Sequence, residues 1–76
     1  MIKIGSSGKT VRDLQEMLNV AIPFPPVLAL DGIFGPKTNQ RVVTFQKQSG
    51  LIADGVVGPV TSKALIGQVI AVLKGS

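Results

Sequence analysis

The chain has 76 residues, eight Lys/Arg against four Asp/Glu, a 45% apolar share, and no cysteine, histidine, tryptophan or tyrosine. That composition excludes a disulfide framework, a thiolate zinc site and a thiol nucleophile, and it removes the usual general base and the commonest metal ligand. What remains is one domain with an aliphatic core, burying roughly 60% of its unfolded surface.

Residues 1–9 read as a flexible lead-in. Met1 to Gly5 offers no long apolar run and no small-residue cleavage site, so no signal peptide is visible. Gly5-Ser6-Ser7-Gly8-Lys9-Thr10 ends like a phosphate-binding loop, but the full pattern needs a glycine where Lys3 stands and a strand before it. A lead into a helix is the better account. Thr10 with Asp13 resembles a capping box, and Val11, Leu14 and Leu18, helped by Met17, recur at helical spacing, predicting a first helix over Val11 to Asn19. Ile22-Pro23-Phe24-Pro25-Pro26 cannot be helix and is expected to cover one end of the core.

The next stretch occurs twice. Leu30-Asp31-Gly32-Ile33-Phe34-Gly35-Pro36-Lys37-Thr38 returns 23 residues later as Ala53-Asp54-Gly55-Val56-Val57-Gly58-Pro59-Val60-Thr61. In each copy the Asp can accept from backbone N–H groups ahead of it, and the following Gly can take positive φ. The two apolar residues are expected to enter the core. Gly35 and Gly58 are placed as N-caps by the prolines after them, and Pro36 and Pro59 suit the first helical position. Helix two is thus predicted from Pro36 to about Gln48, with Val42 and Phe45 inward and Gly50 just past its end. Helix three starts at Pro59 and carries Leu65, Val69, Val72 and Leu73 on one face, with Ile66 and Ile70 beside it. Gly67 marks a kink or break. The longest apolar stretch, around Ala64 to Leu73, is about half a membrane span, and no segment alternates as a strand would. Val11-x-x-Leu14-Gln15 also matches Val42-x-x-Phe45-Gln46, with 16 positions from Gln to Asp in the first unit and 8 in the second. The Pro-rich loop is the difference. The expected architecture is a compact all-α three-helix bundle.

Candidate chemistry is weighed residue by residue. Asp31 and Asp54 could be imagined as a hydrolytic pair, but their identical places in a turn favour capping. Neither turn has the oxygen ligands of a calcium loop. Phe34 and Phe45 are read as core, and Gln15 and Gln46 as local hydrogen-bonding groups first and ligand contacts second. The basic residues are spread along the chain without interleaved aromatics, which argues against nucleic acid. Nothing supplies an activated nucleophile, a tuned acid–base pair or a metal, so no enzyme, cofactor or metal is expected. Helix three carries more apolar surface than a small bundle absorbs, which makes Ile66 and Ile70 candidates for contact with a partner.

At this point the pattern resembles a known family. Gly5-x-x-Gly8-x-x-Val11-x-x-Leu14-Gln15-x-x-Leu18, Asp31-Gly32-x-Phe34-Gly35-x-x-Thr38, Val42-x-x-Phe45-Gln46 and Gly50-Leu51-x-x-Asp54-Gly55-x-x-Gly58-x-x-Thr61-x-x-x-Leu65 are similar to the peptidoglycan-binding domain of cell-wall hydrolases. The resemblance spans residues 5–65, leaving 66–76 as an extension of helix three. It implies a non-catalytic module that targets an accompanying hydrolase domain to peptidoglycan, acting in the cell envelope by an export route the sequence does not reveal. A similar fold occurs in pro-segments of matrix metalloproteases, so fold alone does not fix the ligand. The implied site is a shallow groove at the helix ends near the turns, with Phe34, Lys37, Thr38, Arg41, Gln46, Val57 and Thr61 as candidate ligand contacts. Two positions depart from the family: Arg41 stands where Ala is common, and the Pro cluster replaces a short Gly- and Tyr-containing turn. The competing reading is a protein-interaction module of a phage or secretion assembly.

Overall fold

In the computed structural model, which describes residues 1–75, the chain forms three helices: α1 (Lys9–Ala21), α2 (Pro36–Gln48) and α3 (Pro59–Gly75). α1 is central and packs against both others. It buries Val11, Leu14, Gln15 and Leu18 along one stripe, leaving Arg12, Asp13 and Glu16 in water. The core continues through Ile22, Leu28, Phe34, Val42, Phe45, Val57 and Leu65, with Ile2, Met17 and Val69 partly buried against it. Each of the large aliphatic side chains contributes about 1.5–3 kcal/mol by leaving water.

α1 starts two residues earlier than its apolar periodicity suggests, and the expected capping box does not form. Gly8 is the N-cap and no side chain caps the helix. Thr10 lies within the first turn, exposed, and Asp13 pairs with Lys9 at 3.3 Å on the open surface instead, a contact worth at most a few tenths of a kcal/mol. Tertiary pairing fixes this end: the Gly8 N–H donates to Gly32 O (2.9 Å), and Gly8 O accepts from Arg12.

The lead-in is likewise built into the fold. Its backbone crosses both repeated turns, pairing Ser7 with Ile33 and Ile2 with Val57 as isolated antiparallel bridges. Gly5 N–H donates to Phe34 O (3.0 Å) and Phe34 N–H to Ser6 O (3.0 Å). The amides that looked like a phosphate cradle are therefore partly spent on turn one.

α2 begins as its sequence predicts, with Gly35 extended at the N-cap and Pro36 at the first helical position. It ends in a Schellman pattern: Leu51 N–H reaches Gln46 O (2.8 Å) and Gly50 N–H reaches Lys47 O (3.2 Å). α3 runs unbroken through Gly67, against the expected kink. Its inward face is also shorter than expected. Thr61 and Leu65 are buried and Val69 is half-buried, but Val72 and Leu73 are exposed, as are Ile66 (49%) and Ile70 (46%). The helix outruns the two helices that could cover it. No helix is long and apolar enough to cross a membrane, among the described residues.

The Pro-rich loop covers the core with its ends only. Ile22 and Leu28 are buried, while Phe24 is 68% exposed.

Candidate ligand-binding clefts at the repeated turns

Each turn is closed by a glutamine from the helix before it. In the first, Gln15 Nε2 donates to Asp31 Oδ1 (2.9 Å), Ile33 O (3.0 Å) and Thr38 Oγ1 (3.1 Å), and Gln15 Oε1 accepts from Gly32 N–H (3.0 Å). In the second, Gln46 Nε2 donates to Asp54 Oδ1, Val56 O and Thr61 Oγ1, each at 3.1 Å, and its Oε1 accepts from Gly55 N–H (3.0 Å). Each Asp Oδ1 also accepts from the backbone two residues on, Ile33 N–H at 3.0 Å and Val56 N–H at 2.9 Å. One amide thus joins the helix before the turn, the turn itself and the first turn of the next helix. Among the described residues no buried side-chain polar atom lacks a partner. Asp31 is held below the usual carboxylate range, chiefly by the Ile33 N–H and then by the Gln15 amide.

The glycine after each Asp has φ of +70° (Gly32) or +76° (Gly55). A Cβ on Gly32 would lie 3.0 Å from Gly8 O, and one on Gly55 would collide with Asn39 Oδ1. Positive φ and close approach both require glycine there. Of the two apolar residues that follow, only the second enters the core: Phe34 and Val57 are buried, whereas Ile33 is exposed and Val56 half-buried. The expectation that both would dip inward is corrected by the strand-like alternation that the bridges impose.

Beside each clamp lies a cleft lined by matching positions. Asp31, Ile33, Gly35, Pro36, Lys37 and Thr38 line the first, of about 320 Å³, together with Leu28 and Ala29. Asp54, Val56, Gly58, Pro59, Val60 and Thr61 line the second, of about 430 Å³, with Met1, Leu51 and Ile52 on its rim. A third cleft, of about 340 Å³, runs between the Pro-rich loop and α2, over Pro25, Pro26, Val27, Gln40, Arg41 and Thr44. Leu28 and Lys37 line both this cleft and the one at turn one.

The loop that forms its wall is pinned twice. Asn19 exchanges hydrogen bonds with both backbone groups of Leu28 (2.9 and 2.8 Å). Arg41 Nη2 donates to Phe24 O (2.6 Å) and Pro26 O (2.5 Å). The two departures from the family pattern, an arginine in α2 and a proline cluster before it, are therefore the two halves of one contact.

The candidate contacts separate accordingly. Lys37 is exposed and Arg41 half-buried, both on cleft walls. Phe34, Thr38, Gln46, Val57 and Thr61 are buried, from 0% exposure for Gln46 to 6% for Thr61. Phe34 and Val57 support the turns from inside, and Thr38 and Thr61 form cleft floors. The Gln46 amide makes all the hydrogen bonds of its clamp. The Pro cluster stood out in the sequence as a departure from the family, but Gln40 and Thr44 opposite it escaped because nothing in their spacing marks them. The extra length of the first unit was the one available signal. The described residues bring together no three His, Cys, Asp or Glu side chains able to hold a metal ion.

Comparison with known proteins adds to this picture. A family model for a peptidoglycan binding domain matches residues 7–65. The chain is 43% identical over 65 residues to a probable N-acetylmuramoyl-L-alanine amidase of Bacillus licheniformis, covering 86% of this chain and 18% of that protein. It is 47% identical over 57 residues to the zinc D-Ala-D-Ala carboxypeptidase of Streptomyces albus G, covering 75% of this chain and 22% of the relative. It therefore spans about a fifth of the length of these hydrolases. No solved structure matches the chain.

Proposed function

The chain belongs to the peptidoglycan binding domain family, and we propose that it holds bacterial cell-wall peptidoglycan without cleaving it, bringing an associated or fused hydrolase to its substrate in the cell envelope. The observation that carries this reading is the family match over residues 7–65, supported by a pair of largely apolar clefts edged by Lys37 and Arg41 where turn one meets the Pro-rich loop. The relatives' names place one on the bond between N-acetylmuramoyl sugar and L-alanine and another on a D-Ala-D-Ala peptide end. A module serving either chemistry gains by gripping the polymer rather than the scissile bond. Lys37 supplies an exposed charge to wall carboxylates, and Arg41 keeps the loop wall in place. Single-module affinity is modest, and confinement beside a polymer that repeats the same unit raises it.

The test is co-sedimentation with washed, insoluble sacculi across a salt series, against a helical protein of equal charge. Retention above the control at moderate salt is expected. Retention equal to the control at every salt concentration would remove wall binding. A second reading, a protein-docking module, draws on the exposed Ile66 and Ile70 of α3. Self-association at micromolar concentration that Ile66→Ser with Ile70→Ser abolishes, without sacculus retention, would favour it.

A further inference from the structure

Taking wall binding as its premise, we propose that the two clefts meeting at Lys37 hold one branched ligand, a sugar carrying a peptide, with the sugar against the Pro-rich loop and the peptide along turn one. Each cleft lies near the lower end of the roughly 300–1,000 Å³ range of small-ligand sites, so each suits a single unit. They are joined: Leu28 and Lys37 line both, and Leu28 is locked by Asn19 at both its backbone groups. A ligand that fills both passes Lys37 and meets two different linings, which a sugar carrying a peptide matches better than a chain of identical units.

The two walls differ in chemistry. On the loop side, Pro25, Pro26 and Val27 present a C–H surface opposite Gln40 and Thr44. A pyranose matches that pairing, with one apolar ring face and a rim of hydroxyls. Thr44 already donates its proton to Gln40 O (2.9 Å), so its oxygen is left to accept from a sugar hydroxyl. The wall is preset, because Arg41 holds Phe24 and Pro26 by their carbonyls. On the turn side, the exposed Asp31 can accept from an amide N–H or ammonium through its second oxygen, and the exposed Ile33 offers apolar contact to a short alkyl side chain. Lys37 at the junction suits a carboxylate or carbonyl oxygen.

The repeat supplies an internal control. The cleft at turn two has the same turn positions, but Val60 replaces Lys37, and among the described residues its lining includes none of the Pro-rich loop. The branch site is accordingly assigned to turn one alone.

The experiment is a titration of the ¹⁵N-labelled protein, followed by amide shifts, with three soluble probes: an N-acetylglucosamine oligomer, a free stem tripeptide, and muramyl dipeptide. The oligomer is expected to shift Val27, Leu28, Gln40 and Thr44, and the tripeptide Ala29 to Lys37. Muramyl dipeptide should shift both sets and bind about tenfold or more tightly than either piece, since joining them makes the second contact intramolecular. Gln40→Ala should weaken the oligomer and muramyl dipeptide but leave the tripeptide unchanged. Lys37→Met should remove the advantage of muramyl dipeptide; both positions are exposed, and the amide spectrum reports whether each variant folds. Shifts centred on turn two, both pieces in one cleft, or muramyl dipeptide no tighter than the better piece would overturn the assignment. If any of these occurs while sacculi still retain the protein, wall binding stands and the branch site falls. If sacculi do not retain it, both fall.

Discussion

The two Asp-Gly turns share one set of polar parts and differ in what surrounds them. Corresponding hydrogen bonds agree within 0.2 Å, although the glutamine lies 16 residues before its aspartate in one case and 8 in the other. Turn two is reached directly from the Schellman end of α2, where Gln46 serves as backbone acceptor and side-chain clamp at once. Turn one is reached through the Pro-rich loop, which needs Asn19 and Arg41 to hold it. The clamp is thus indifferent to connection length. What lies beside it is free to vary, and here that variation places a cation and a second cleft next to turn one and an apolar rim next to turn two. Repetition builds the scaffold, and departure from repetition builds the proposed site.

The sharpest way to break the comparison is to remove the clamps. Gln15→Ala and Gln46→Ala each strand a buried glycine N–H and a threonine hydroxyl, so each should cost about 3 kcal/mol in urea denaturation followed by circular dichroism. Similar costs are expected. A loss under 1 kcal/mol at one site would show that its turn is held by other contacts.

The glycines come next. Gly32→Ala should cost about 2–3 kcal/mol and Gly55→Ala about 1–2, because both need positive φ, but the Cβ at Gly32 meets the Gly8 backbone oxygen whereas the one at Gly55 meets the end of the Asn39 side chain, which can swing away. Thermal unfolding of the two variants checks the order, and the double variant Gly55→Ala with Asn39→Ala should recover part of the loss.

Exchanging Lys37 and Val60 tests function without touching the clamps. Lys37→Val should weaken sacculus binding roughly two- to fivefold and flatten its salt dependence, the scale of an exposed ion pair. Val60→Lys should not create a matching gain. Both positions are exposed, so stability should change by less than about 0.5 kcal/mol.

Acid tests turn one last. The Asp31 pKa is lowered on folding, so its share of stability is present above the ordinary carboxylate pKa of about 3.9 and is lost as pH falls through the lower folded value. Denaturation midpoints of wild type and Asp31→Asn should therefore differ most near neutral pH and converge on acidification.

The repeat, the proline-started helices and most of the core were legible in the sequence because each has a local cause. Pro36 fixes the start of α2 wherever the rest of the chain lies, and Val42 and Phe45 bury themselves by helical spacing. The lead-in was misread because its contacts are backbone to backbone and leave no side-chain signature. Thr10 failed as a cap because Gly32, distant in sequence, takes the Gly8 N–H and sets where α1 begins. Arg41 was legible as a charge, and no periodicity reveals that its acceptors within the fold are carbonyls 15 and 17 residues away. The apolar sequence of α3 reports its preference for burial, but the reach of α1 and α2 decides how much is granted.

The bridge between Ile2 and Val57 also bears on how the chain assembles during synthesis. Its two halves lie on opposite sides of α1 and α2 in the sequence, so it raises the mean sequence separation of contacts in a fold whose helices are otherwise local. On a ribosome adding about 5–20 residues per second, Ile2 emerges early and waits until Val57 has cleared the exit tunnel. The bridge makes closure of the domain a late event, timed by translation of turn two.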